Sequence, residues 1–138
     1  MKLAVMKLPV LCLAAGAFIA AIPAYAHHSF AAAYIEDQTV TLDGKVSAFL
    51  YRNPHSYVEM ETTDDRGAVT KWAAEWFGSG RLSRVGVDPD TFKPGDRVII
   101  TGAPGRDASQ HRVHLKTILR PSDGFKVDRM PRGGGKGR

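Results

Sequence analysis

The amino-acid sequence predicts an all-β fold, a small five-stranded barrel with one short helix between strands 3 and 4. Three observations carry this prediction. Apolar residues alternate with polar ones in several segments, turn-forming Gly, Pro, Asn and Asp separate those segments, and only one stretch has helical spacing. A chain of 138 residues is long enough for one small domain.

The first strand is expected over Val40–Leu50, where apolar residues recur at even positions around Gly44. A glycine inside a strand marks a bulge or a kink, so the strand is expected to bend at Gly44. Asn53 and Pro54 end it, because proline has no amide hydrogen and keeps the preceding residue out of the helical region.

Two further strands follow, joined by a hairpin turn at 64–67. The second is expected over 56–62 and the third over 68–77, since both alternate with a period of two. One face of the third strand carries both tryptophans, and we expect this face to be buried because indole rings contribute most area to a small core. That face consists of Thr70, Trp72, Ala74 and Trp76.

A short helix is expected next, and no other helix is predicted in the domain. Ser79 can cap its start, Leu82 and Val85 lie three residues apart on one side, and Gly86 can end it.

The last two strands are expected over 97–102 and 111–119, separated by a turn at 105–109 and ended by Pro121. The predicted order is therefore three strands, a helix and two strands. The OB fold, a partly open Greek-key barrel, has this order of elements. The sequence therefore predicts an OB-like Greek-key barrel, with a five-stranded sandwich as the alternative.

The amino terminus has the pattern of a secretory signal peptide. A basic start and an apolar run over 8–22 precede Ala24–Ala26, which has the small-x-small form of a cleavage site. We therefore predict a cleaved signal peptide over 1–26 and a periplasmic protein that begins at His27. Cys12, the single cysteine, leaves with the signal, so the mature chain has no thiol for a disulfide.

Residues 124–138 are rich in glycine and carry five Lys/Arg against one Asp. So few apolar residues predict a disordered basic tail after an OB-like domain over 27–123. Two interpretations of the tail stay open: a solvated terminus, and a segment that makes weak contact with an anionic surface.

The charge distribution argues against nucleic acid as a partner. Residues 27–123 carry 12 Lys/Arg against 13 Asp/Glu, so the basic charge that could track phosphates is confined to the tail. No transmembrane segment is expected after signal cleavage. The predicted partner is an unidentified ligand or a periplasmic protein.

Histidines are the main candidate functional residues, because a mature chain without thiols leaves imidazoles and carboxylates as transition-metal ligands. Cleavage would place a free amine beside the imidazole of His27, and His28 or His55 could add a further nitrogen, a set that suits copper. Glu75, near the end of strand 3, is a further candidate ligand. The alternative is an exposed polar terminus that binds no metal.

His111 and His114 are both expected on strand 5. Three positions apart, they would lie on opposite faces and could not bind one ion together without a bulge in the strand. His111 is expected to face the core with Val113, and His114 to share the other face with Arg112. Both are interpreted as structural or exposed residues.

Several short motifs together resemble a family of small exported bacterial proteins of unknown function. They are His27–Ala32, Gly44–Val46, Asn53–His55, Trp72–Glu75, Leu82, Gly86 and Lys93–Asp96. The resemblance covers roughly residues 27–120 and implies a periplasmic single-domain protein of a Gram-negative bacterium, with no established activity.

Neither a nucleophile motif nor a glycine-rich phosphate loop in a strand-to-helix context is present, so no enzyme activity is predicted. The leading hypothesis is a periplasmic OB-like binding module that holds copper or another transition metal at its amino terminus. The alternative is a protein-binding or envelope-associated module without metal.

Overall fold

A computed structural model describes residues 29–128 and confirms the predicted β architecture. Its strands are β1 (Val40–Leu50), β2 (Tyr57–Thr63), β3 (Val69–Glu75), β4 (Arg97–Pro104), β5 (Arg112–Arg120) and β6 (Phe125–Val127). Its helices are α1 (Phe30–Ala33) and α2 (Ser79–Leu82), with 3₁₀ turns at Ser83–Val85 and Ala108–Gln110.

The first five strands close into a barrel. β1 pairs antiparallel with both β2 and β4, and β2–β3 and β4–β5 are also antiparallel. The barrel closes where β3 runs parallel to β5, with Ala73–Glu75 beside Arg112–His114. This closing pair confirms the OB-like Greek-key barrel and excludes the sandwich.

The irregularity in β1 is not at the glycine, where the sequence predicts it. The register with β2 slips between Val46 and Ala48, so the bulge is at Ser47. Gly44 serves a different purpose, because a Cβ built there would lie 2.2 Å from the backbone oxygen of Glu61. The glycine allows close approach of two strands rather than a bend.

The core fills the barrel with side chains from all five closing strands and from the segment between β3 and β4. Trp76 is 1% exposed, whereas Trp72 on the same face is only partly buried and packs against the edge of the core. The predicted face is therefore the buried one, and Trp76 is the more deeply buried of its two tryptophans. Other core residues are Leu42, Val46, Val58, Met60, Leu82, Phe92, Val98, Ile100, Val113 and Ile118.

The predicted helix between β3 and β4 is present, and Gly86 ends it at a φ of 79°. Its cap residue is Gly78 rather than the predicted Ser79. The single turn α1 and the 3₁₀ turn at Ala108–Gln110 were not expected from the sequence. None of the helices within residues 29–128 is long and apolar enough to cross a membrane.

The boundary predicted for the tail is wrong at its first residues. Phe125–Val127 forms β6 and pairs antiparallel with β5, and Val127 is 7% exposed within the core. Although 124–138 contains few apolar residues, Phe125 and Val127 are enough to extend the sheet. The domain therefore continues past residue 123. Disorder of the remaining tail, 129–138, stays a prediction outside the described residues.

The predicted signal peptide, its cleavage after Ala26 and the two histidines His27 and His28 also lie outside the described residues.

Candidate functional site

The candidate site is centred on Glu75, the last residue of β3, which is 7% exposed. Its Oε1 accepts a hydrogen bond of 2.6 Å from Nδ1 of His55. Its Oε2 accepts one of 2.8 Å from Nη2 of Arg112 and another from the hydroxyl of Tyr34. Two of the predicted site residues, His55 and Glu75, are therefore in direct contact.

Backbone pairing explains how His55 reaches Glu75. The loop after β1 is attached to the end of β3 through Ser56, whose oxygen accepts from the amide of Trp76 at 2.8 Å. The amide of Ser56 donates in turn to the oxygen of Phe77 at 3.1 Å. These two bonds fix Ser56 beside Trp76 and Phe77, the two residues after Glu75. The side chain of His55, which precedes Ser56, therefore lies beside the carboxylate of Glu75.

The environment of Glu75 keeps it ionised. Burial would raise the pKa of this carboxyl, but the hydrogen bonds from Tyr34 and His55 and the charge of Arg112 outweigh burial and lower the pKa. Burial and the hydrogen bond to Glu75 raise the pKa of Tyr34, which stays a neutral donor. Because an ionised carboxylate only accepts, Nδ1 of His55 carries a proton and donates it.

This arrangement assigns different roles to the two predicted ligands. Both oxygens of Glu75 are engaged by donors of the chain, so the carboxylate orients its neighbours. His55 uses only Nδ1 in this network, and its side chain is 28% exposed. Nε2 of His55 is therefore the nitrogen with which this residue could bind a ligand.

A short stretch before β1, the docked segment (residues 29–36), lies against this site. The amide of Ile35 donates to the oxygen of Pro104 at 2.9 Å, and the amide of Arg106 donates to the oxygen of Ala33 at 2.9 Å. These bonds bring Tyr34 to Glu75. The segment that follows the predicted terminal histidines is thus fixed to the end of β4.

The ring of Phe30, also in the docked segment, stacks on two imidazoles. Its centroid is 4.9 Å from that of His55 and 3.6 Å from that of His114. Two rings stacked on one face at these distances would overlap, so the imidazoles lie on opposite faces of Phe30. In this arrangement His55 and His114 cannot share one metal ion.

His114 is buried, and its Nδ1 lies 2.7 Å from Oε1 of Glu36 in the docked segment. Its Nε2 has no hydrogen-bond partner among the described residues. The structural role expected for His114 fits its contacts with Glu36 and Phe30, which hold the docked segment on β5.

The prediction that His111 faces the core is wrong. β5 begins at Arg112, and His111 ends the preceding 3₁₀ turn with a φ of 47°, which directs its side chain to solvent. The ring contacts Trp72 edge-on with centroids 5.2 Å apart. This left-handed residue breaks the alternation from which the inward direction was predicted.

Within residues 29–128, no group of three or more His, Cys, Asp or Glu side chains could hold a metal ion. His55 contributes one candidate nitrogen there. The other two predicted ligands, His27 and His28, belong to the part of the chain that is not described.

Glu75 makes the stability of the domain pH-dependent. Its pKa in the folded protein lies below the ordinary value of 4.5, so the folded state binds fewer protons in acid than the unfolded chain. The stabilisation is present above about pH 4.5 and is lost as the pH falls towards the folded pKa. We expect Glu75→Gln to have a lower melting temperature than wild type at neutral pH. The difference between the two melting temperatures should become smaller in acid.

Thermal unfolding between about pH 7 and about pH 3 tests this expectation. Glu59→Gln is the control, because Glu59 is exposed and forms no salt bridge within the described residues. A difference between Glu75→Gln and wild type that stays constant across this range would show that the charge of Glu75 does not stabilise the fold.

Comparison with known proteins gives a family and no activity. A model for a family of unknown function, DUF6152, matches residues 16–114. No curated protein matches the chain. Among solved structures, the chain is similar to the mitochondrial single-stranded DNA-binding protein Rim1 of S. cerevisiae. The identity is 11% and the TM-score 0.44, with 67% of this chain and 96% of that chain covered.

Proposed function

Because the chain belongs to DUF6152, a family of unknown function, we propose its role from the site: an exported OB-like module that binds a transition metal. The proposed ion is Cu(II), held by Nε2 of His55 and by the amine and imidazoles of a terminus that starts at His27. Glu75 orients His55 and does not contact the metal.

The observation that carries this proposal is the bond between His55 and Glu75. Metal-binding histidines commonly donate a hydrogen bond from the N–H of their second ring nitrogen to a carboxylate, which fixes the tautomer and the ring orientation. Nδ1 of His55 donates in this way at 2.6 Å, and the carboxylate is held in turn by Tyr34 and Arg112. A turn histidine bonded only to a backbone carbonyl would not have its ring oriented by a carboxylate that other side chains hold in place.

The length of the chain supports a contribution from the terminus. Phe30 stacks on His55, and His28 is two residues earlier. Successive Cα atoms are about 3.8 Å apart, so the Cα of His28 lies within about 7.6 Å of that of Phe30, and that of His27 within about 11.4 Å. We propose that this short tether brings the side chains of His27 and His28 to Nε2 of His55.

The available donors favour copper. An amine and imidazoles are nitrogen ligands, which Cu(II) binds strongly and Mg(II) does not. The mature chain offers no thiolate, because Cys12 belongs to the predicted signal peptide.

Calorimetric titration of protein that starts at His27 tests the proposal. Cu(II) should bind more tightly than Mg(II), and His27→Ala and His55→Asn should each weaken Cu(II) binding by about tenfold or more. Asparagine suits the second variant because its side-chain amide can still donate to Glu75 while the Nε2 ligand is lost. His111→Ala is the control and should bind Cu(II) like wild type. His111 is exposed, and its ring contacts Trp72 and not the proposed ligands.

Equal Cu(II) affinity in wild type and His27→Ala would eliminate the terminal site. The protein-binding or envelope-associated module without metal would then be the preferred function.

A further inference from the structure

His114 holds the docked segment at two points. Its ring stacks on that of Phe30, with centroids 3.6 Å apart and planes 7° from parallel. Its Nδ1 lies 2.7 Å from Oε1 of Glu36. Phe30 is near the start of the segment and Glu36 is at its end, so one buried side chain on β5 clamps both ends.

The ring of Phe30 extends this clamp to the proposed metal ligand. Its other face stacks on His55, with centroids 4.9 Å apart. Each imidazole is fixed at Nδ1 by a carboxylate, His55 by Glu75 and His114 by Glu36. Phe30 therefore connects a fixed point on β5 to His55 in the loop after β1.

The first half of the docked segment depends on this stack. Its second half is anchored by Tyr34, which is 1% exposed. α1 is a single turn with no side-chain cap hydrogen bond and no buried residue, too short to be stable alone. Ahead of Tyr34, the exposed side chain of Arg106 donates to the oxygen of Ala31 at 3.0 and 3.1 Å. Such exposed bonds compete with water and contribute little, so the stack on Phe30 fixes where the preceding chain starts.

We propose that Phe30 and His114 are positioning residues of the copper site, and that copper binding is coupled to docking of segment 29–36. The coupling rests on the proposed function, in which the terminus and His55 bind one ion. The stack holds the chain near Nε2 of His55 before the metal arrives. The bound ion then ties the chain ahead of Phe30 to the barrel and stabilises the stack. Docking and copper strengthen each other by the same factor.

Titration calorimetry with Cu(II), on protein that starts at His27, tests the coupling. Phe30→Leu keeps an apolar side chain and removes the ring. His114→Asn removes the other ring of the stack, while its amide can still donate to Glu36. Each variant should weaken Cu(II) binding by about tenfold, although neither residue contacts the metal.

Two further variants separate positioning from loss of stability. Phe30→Tyr retains a ring that can stack and should bind Cu(II) like wild type. Phe125→Leu is the matched control, because this partly buried ring in β6 packs on Phe92, with centroids 5.7 Å apart, and not on the site. It should lower stability without changing Cu(II) affinity.

Hydrogen exchange of wild type, followed by mass spectrometry, gives a readout that a purely structural role would not change. Cu(II) should slow exchange of the amides in 29–36, and it should not do so when a methionine precedes His27. This measurement uses no substitution in the stack, so it decides the matter if a variant fails to fold.

The results distinguish the copper site from the coupling. Absence of Cu(II) binding in wild type would overturn both. If wild type binds Cu(II), the coupling alone is overturned by wild-type affinity in both Phe30→Leu and His114→Asn, or by exchange in 29–36 that Cu(II) leaves unchanged. An equal loss of affinity in Phe125→Leu and Phe30→Leu would also overturn it, since lost stability would then account for both.

Discussion

Replacing Trp76 by alanine is expected to lower the free energy of unfolding by about 3–5 kcal/mol, the usual cost of truncating a buried aromatic residue. The side chain is 1% exposed and packs near Phe92, with ring centroids 6.4 Å apart. Its removal would leave a cavity in the core, because the surrounding strands are fixed by the closing pair β3–β5.

Urea unfolding of Trp76→Ala and Trp72→Ala, extrapolated to water, measures the difference. Trp72 is only partly buried at the edge of the core, so its truncation should cost clearly less. If Trp72→Ala lost as much free energy of unfolding as Trp76→Ala, or more, Trp76 would not be the tryptophan that contributes more to the core.

Gly44→Ala is expected to destabilise the domain by about 1–3 kcal/mol, because it introduces an atom where two strands are already in contact. The new Cβ would lie 2.2 Å from the backbone oxygen of Glu61 and 2.9 Å from Cε of Met60. A flexible side chain could move away, but the backbone oxygen belongs to the β1–β2 pairing and can yield only if the strands separate.

Gly80→Ala is the matched control for this substitution. Gly80 lies in α2, and no atom is within 4 Å of a Cβ built there. Alanine is the better helix former, so this variant should be neutral or more stable by up to about 1 kcal/mol. Urea unfolding that gives the same result for both glycines would refute the close approach at Gly44.

Local sequence patterns were sufficient for the barrel. Alternation of apolar and polar residues in β1 to β5 indicates which residues face inwards, and turn residues separate the strands. The order of elements then favoured one closed topology, which the parallel pairing of Ala73–Glu75 with Arg112–His114 confirms.

The short elements could not be predicted for a physical reason. α1 has three alanines, which favour helix, but it is a single turn of four residues with no side-chain cap hydrogen bond and is too short to be stable on its own. β6 has three residues, and it forms because it pairs antiparallel with the edge of β5. Both are stabilised by tertiary contacts with distant parts of the chain.

The candidate site was predicted in part. His55 and Glu75 were selected from the sequence because a turn histidine and a carboxylate at a strand end are candidate metal ligands. Tyr34 and Arg112 were missed, because they lie 41 and 37 residues from Glu75 and reach it through the docked segment and the parallel pairing. Phe30 follows His27, His28 and Ser29 in one of the sequence motifs, but its stacking between two imidazoles depends on the tertiary structure.

The most direct test of the metal proposal measures Cu(II) affinity in four proteins. They begin either at His27 or at a methionine placed before it, and each carries His55 or the substitution His55→Asn. If the terminal amine and His55 bind the same ion, each change alone weakens binding, and the combined loss is smaller than the sum of the two. Strictly additive losses, or no loss from either change, would contradict a copper site shared by the amino terminus and His55.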